Sequence, residues 1–140
     1  MTPTYKPSSR PPKVTPGKRI GEAADVWAYL YDVRDTSQEH FVVFSLNVRY
    51  GVIQRRVVHI GTLAGVEVHP REVFRPAIID NAAAVILAHN HPSGDPTPSR
   101  QDIELTARLR HAGELLGVIV LDHVVVAAEG WVSLSDRGWQ

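Results

Sequence analysis

The sequence predicts a three-layer α/β domain, a mixed β-sheet flanked by helices, on three observations. Apolar residues change period along the chain, from 3- and 4-residue helical spacing to short β-branched runs and back. Glycine and proline punctuate those segments at short intervals. Taken in order the segments read α-β-β-α-β-α-β-β-β, and helices interspersed with strands cover the faces of one sheet. With 140 residues, 44% of them hydrophobic and 21% charged, the chain holds one such domain with its own core.

Residues 1–20 are expected to form a disordered basic tail ahead of a domain at 21–140. Pro3, Pro7, Pro11, Pro12 and Pro16 fall there, and each fixes φ and lacks a ladder donor. Lys6, Arg10, Lys13, Lys18 and Arg19 give the stretch +5 with no acid, which leaves ten bases against fifteen acids, or −5, beyond it. Gly21 to Asp35 reads as a helix presenting Ala24, Trp27, Ala28 and Tyr31, with Glu22 and Asp25 at its positive end. His40 to Val48 is β-branched and aromatic, a strand buried on both faces, and 47–51 turns it into a second strand at Val52 to Ile60. Gly61 to Gly65 is a flexible joint. His69-Pro70-Arg71-Glu72 opens a helix with proline at its first position, and Pro76 should kink or restart it before Asn81 ends it.

Ala83 to His89 is a short apolar run, a central strand. Asn90 to Pro98 holds three prolines and a glycine, so it is a loop. Ser99 to Leu116 is an amphipathic helix stopped by Gly117. Val118 to Asp122, His123 to Ala127 and Trp131 to Leu134 then supply up to three short strands.

Composition excludes several functions. The absence of cysteine removes disulfides, thiolate zinc sites and a cysteine nucleophile, so any metal must be held by histidine and carboxylate. Fifteen bases balance fifteen acids, which does not indicate a uniformly basic nucleic-acid binder. No apolar run approaches the ~20 residues of a membrane span, and no apolar signal core is seen near Met1, so a cytoplasmic location is expected.

The informative stretch is His89-Asn90-His91-Pro92 followed by Ser99-Arg100-Gln101-Asp102. At a strand end, residues two apart project to one side, so His89 and His91 offer two imidazoles to one ion with Asn90 turned away. Asp102 falls in the first turn of the next helix, and the irregular loop lets that helix start fold back over the strand end. Two histidines and one carboxylate are the protein ligands of a catalytic zinc, which keeps a fourth position open, whereas a structural zinc takes four. Hydrolysis also needs an acid–base group, and Glu22, Glu39, Glu67, Glu72 and Glu104 are the candidates outside the motif. Ser99 could donate to a developing oxyanion, although Ser99 with Asp102 is equally an S-x-x-D helix cap. His40, His59, His69, His111 and His123 are assigned structural roles.

His89-x-His91, seven residues, Ser99, two residues and Asp102 match the JAMM signature of JAB/MPN-domain metalloproteins. HPREVFRPAI (69–78), NAAAVILAHNHPSGDPTPSRQDIELT (81–106) and LGVIVLDHVVV (116–126) resemble the RadC branch of that superfamily, over about residues 22–138. The resemblance implies the JAB/MPN-like (cytidine-deaminase-like) fold. It also implies one Zn2+ held by His89, His91 and Asp102, Glu39 as general base, and Ser99 assisting at the oxyanion. Where the wider superfamily often has serine or threonine between the histidines, this chain has Asn90, as RadC-like members do.

The function expected is that of a zinc metallopeptidase or isopeptidase acting on a peptide or protein substrate. One alternative is a DNA-repair-associated factor, motivated by the basic tail and the RadC name; another is an interaction module whose zinc ties strand to helix. The edge strands of such a sheet could recruit an extended peptide by strand addition or pair two subunits into a homodimer. A zinc nucleobase deaminase is excluded by the missing P-C-x-x-C pair.

Overall fold

In the computed structural model, residues 18–61 and 68–140 are described. Residues 1–17 of the expected tail at 1–20, residues 62–65 of the expected joint at 61–65 and the candidate Glu67 lie outside them. Lys18 and Ile20 hydrogen-bond to the start of the second strand and the turn before it: the Lys18 carbonyl accepts from Val52 N–H, and Ile20 N–H donates to the Tyr50 carbonyl.

The elements are α1 (Ala23–Tyr29), β1 (His40–Leu46), β2 (Val52–Ile60), α2 (Pro70–Ile79), β3 (Ala84–Asn90), α3 (Arg100–Leu116), β4 (Ile119–Ala127) and β5 (Gly130–Ser133). The strands form one mixed sheet in the order β2-β1-β3-β4-β5. Among the described strands only β3 and β4 pair in parallel, and a parallel pair needs a crossover, which α3 supplies. Strand alternation sorts the core into two clusters. Val42, Phe44, Leu46, Ile86 and Ala88 meet Val26, Leu30 and Val33 of the α1 segment. Phe41, Val43, Val85 and Leu87 meet Val73, Phe74 and Ala77 of α2 and Leu105 and Leu109 of α3. The result is the expected three-layer architecture, with α1 on one face and α2 and α3 on the other.

Four details depart from the sequence reading. The first helix is shorter, because after Tyr29 the chain tightens into turns such as Val33 N–H to the Leu30 carbonyl. Val26 of this helix is buried together with Leu30 and Val33 of the turns after it, while Tyr31 is exposed; the neighbouring period shifted by two residues was the one that met the sheet. Helix α2 runs through Pro76 without a break. Proline removes one N–H there, and the burial of Val73, Phe74 and Ala77 on either side holds the helix. The two strands expected within 118–127 are one. A register shift opposite Val85/Ile86 absorbs Leu121, and Asp122 turns aside to accept from Ser135 N–H and Ser133 Oγ.

Glycine decides two close fits. Gly117 takes the left-handed conformation that ends α3. At Gly113 a Cβ would run into the Val118 carbonyl oxygen and the Phe74 ring, so this glycine lets α3 lie against α2 and the return to β4. No helix among the described residues is long and apolar enough to cross a membrane.

Candidate metal centre

The carboxyl end of β3, the start of α3 and the middle of β4 meet on the α2/α3 face of the sheet. His89 and His91 lie two residues apart at the end of β3, and their Nε2 atoms are 3.0 Å apart. Asp102, third residue of α3, places Oδ1 3.2 Å from His89 Nε2 and Oδ2 3.2 Å from His91 Nε2. The helix start is fixed by a reciprocal cap: Asp102 N–H donates to Ser99 Oγ at 3.1 Å, and Ser99 N–H donates to Asp102 Oδ2 at 2.8 Å. Ser99 is therefore the N-cap of α3, and the same cap aims Asp102 at the histidines. His89 is fully buried, and His91 keeps 15% of its side-chain surface, so the centre opens to solvent on the His91 side.

The hydrogen-bond partners fix which nitrogen carries each proton. Thr106 Oγ1 lies 2.7 Å from the Asp102 carbonyl oxygen, which can only accept, so the hydroxyl donates. His123 Nδ1–H must then donate to Thr106 Oγ1. Burial first, and the neighbouring His89 next, push the His123 pKa well below the ordinary value of 6.5, so the ring is neutral and its Nε2 is a bare acceptor. His89 Nδ1–H donates to that atom at 2.7 Å. On the other ligand, His91 Nδ1–H donates to the Asp95 carbonyl at 2.9 Å. Both Nε2 lone pairs therefore point at each other and at a carboxylate, and in the neutral rings no hydrogen lies between them.

Three acceptors facing one another repel unless a cation stands among them. A proton is one answer. Hydrogen bonding to Asp102 is the largest influence on His91, and with the Asp95 carbonyl and the charges of Asp102 and Glu39 it outweighs burial to raise the His91 pKa. Burial works against the Asp102 charge, yet the hydrogen bonds from His89 and His91, the charge of a protonated His89 and the Ser99 N–H prevail and hold its carboxyl far below the usual range. A divalent metal ion is the other answer. Ligands about 2.0–2.1 Å from a tetrahedral zinc stand roughly 3.3 Å from one another, close to the 3.0–3.2 Å separations found here. The His89, His91 and Asp102 group could thus hold a metal ion, and neutral imidazole with carboxylate is a donor set that zinc accepts.

The remaining candidates divide clearly. Glu39 is half-buried at the entrance to β1, and its charge reaches His91. Glu22 caps α1, Glu72 is exposed on α2, and Glu104 is exposed and paired with Arg100. His123, expected from the sequence to be structural, and Thr106, which no local pattern marks, both take part in the site. Together they hold the His89 ring, and the signal was out of reach because it lies in the parallel pairing of β3 with β4. Phe41 stacks on His89 with ring centroids 6.1 Å apart, closing the apolar side.

The RadC-like JAB domain profile matches residues 20–139 of the chain. The chain belongs to the RadC-like JAB domain family. A UPF0758 protein of Syntrophotalea carbinolica is 45% identical over 124 residues, covering 88% of this chain and 55% of that protein. A UPF0758 protein of Bacillus licheniformis is 52% identical over 108 residues (77% and 48%), and one of Methanococcoides burtonii is 44% identical over 125 residues (89% and 55%). The chain spans about half the length of these relatives. The RadC-like JAB family therefore supplies the frame for the histidine–aspartate centre, and that centre sits within the matched residues.

Proposed function

We propose that this RadC-like JAB domain is a zinc-dependent hydrolase of amide bonds, a metallopeptidase or isopeptidase acting on a peptide or protein. The observation that carries the reading is the convergence of three lone-pair donors, from His89, His91 and Asp102, on one partly open point. Three protein ligands leave a coordination position for water, the arrangement of catalytic zinc sites. A zinc ion held there would supply Lewis acidity and make water acidic enough to attack near neutral pH.

The chain's own groups supply the rest. Glu39 accepts the proton of the attacking water and returns it to the leaving nitrogen. The cap uses a Ser99 oxygen lone pair and leaves its O–H proton to donate to the oxyanion that develops on the carbonyl. Asp102 keeps its negative charge, and His123 keeps His89 in the tautomer that exposes Nε2.

The test is bound zinc and peptide-bond cleavage for the wild type, His89→Ala and Glu39→Gln. Glu39→Gln is expected to bind about one zinc per chain and to lose roughly 10²–10⁴-fold in turnover; His89→Ala is expected to lose both. A wild-type chain that binds no zinc refutes the proposal. Zinc binding without cleavage of any peptide would favour the alternative, an interaction module whose ion joins β3 to α3.

A further inference from the structure

We infer that Asn90, between the two histidines, is the positioning residue that holds Glu39 at the metal centre. The inference rests on the reading of Glu39 as the base. The β1–β3 ladder ends at Phe41 opposite His89, so the segment carrying Glu39 lies beyond the last regular pair. The Asn90 side chain continues the pairing in its place. Its Oδ1 accepts from His40 N–H at 2.6 Å, and its Nδ2 donates to the Gln38 carbonyl at 2.9 Å. These are the peptide groups on either side of Glu39. The Glu39 carbonyl itself accepts from Gly61 N–H at 2.8 Å, which ties the segment to the end of β2.

Asn90 is fully buried, where an amide left without partners would be destabilising. Here both of its ends are used, and Nδ2 also lies 3.3 Å from Thr36 Oγ1. Alternation explains the division of labour. His89 faces α3 while Asn90 faces the α1 side, so one tripeptide sends two imidazoles to the ion and an amide to the segment that carries the base. An amide presents acceptor and donor on two separate atoms side by side, which matches the two peptide groups flanking Glu39, whereas a hydroxyl carries both functions on a single oxygen.

The test compares Asn90→Ala, Glu39→Gln and the double variant in the full chain, by zinc affinity with Zn2+ alone, by kcat and KM on a peptide the wild type cleaves, and by hydrogen exchange. Removing the Glu39 charge should weaken zinc binding by about tenfold or less, since the charge acts across a partly solvated gap. Asn90→Ala should cost a similar factor, lower kcat with KM little changed, and speed exchange of the His40 amide by roughly tenfold or more. The double variant should be no worse than Glu39→Gln, because Asn90 acts through Glu39. Should Asn90→Ala fail to fold, Asn90→Ser carries the same comparison. A loss of equal size with and without Glu39, or an unchanged His40 amide, overturns the positioning role while leaving Glu39 as base. No effect of Glu39→Gln on zinc or turnover would remove the base itself, and this role with it.

Discussion

Two polar clusters lie on the same face of the sheet, one near each end, and they are built in opposite ways. Near the end of β1, Asp80 accepts from Ser45 Oγ at 2.9 Å, from Arg56 Nε at 3.2 Å and from Arg56 NH2 at 2.6 Å. Donors there meet acceptors, and the cluster is complete. At the end of β3, two imidazole lone pairs and a carboxylate converge within 3.2 Å, while every outward-facing hydrogen of those rings is already committed to His123 and the Asp95 carbonyl. A network that satisfies itself serves the fold. One whose hydrogens all point outward and whose lone pairs all point inward is finished only by a cation.

The sharpest way to break this contrast is to delete one inward lone pair. His89→Ala should reduce zinc retained after dialysis from about one ion per chain to almost none, measured by atomic absorption, because two ligands seldom hold zinc. Next in size is the outer support. His123→Ala leaves all three ligands but frees the His89 ring, and zinc affinity should fall about 10–100-fold by competition with a chromophoric chelator. An unchanged affinity would make His123 mere filling. At the other cluster, Asp80→Ala should lower folding stability by about 1–3 kcal/mol in urea melts by stranding Ser45 and Arg56, with zinc affinity unmoved.

The smallest effects are in pH, and they run in opposite directions. The His91 pKa is raised above 6.5 in the metal-free fold, chiefly by Asp102. Its contribution to stability is full below the unfolded value and is lost as pH rises through the folded one. The metal-free chain should therefore lose some stability as pH climbs above 6.5. Zinc affinity should weaken as pH falls through that same window, because the proton and the ion compete for one lone pair. Asp80 is the reverse case. Arg56 holds its carboxyl below 3.8, so its contribution persists above that value and disappears only in stronger acid. Thermal melts from pH 3 to 9, with and without zinc, would reveal both trends, and identical curves in the two series would erase the distinction between the clusters.

Legibility in the sequence followed the range of the interaction. His89, His91 and Asp102 were readable because strand alternation and a helix start place them within thirteen residues of each other. The Ser99 cap was readable for the same reason. Asn90 could be placed facing away from the ion, but its partners at Gln38 and His40 are 52 and 50 residues distant. His123 is 34 residues from His89, and its role depends on which strand β3 takes as its parallel neighbour. Two apolar periods overlap in the α1 segment: Trp27 of the expected face packs on the core, yet it is the cluster with Phe44 and Ile86 that buries Val26 and Leu30 most deeply. At Pro76 local rules predict a kink or restart because they weigh the lost N–H and cannot weigh the burial of Phe74 and Ala77.

The family rested on the likeness of whole motifs to a known signature, while periodicity, breakers and the spacing of a few polar residues were enough to determine the layers, the central strand and the three groups able to grip an ion. These are consequences of chain geometry over one or two turns, where backbone stereochemistry alone decides which side chains share a side. Tertiary structure decided what those groups lean on: which ring fixes the His89 proton, which amide holds the Glu39 segment, and which cluster satisfies itself. Such choices depend on strand order and register, set by the packing of whole faces against one another, and no local pattern encodes them.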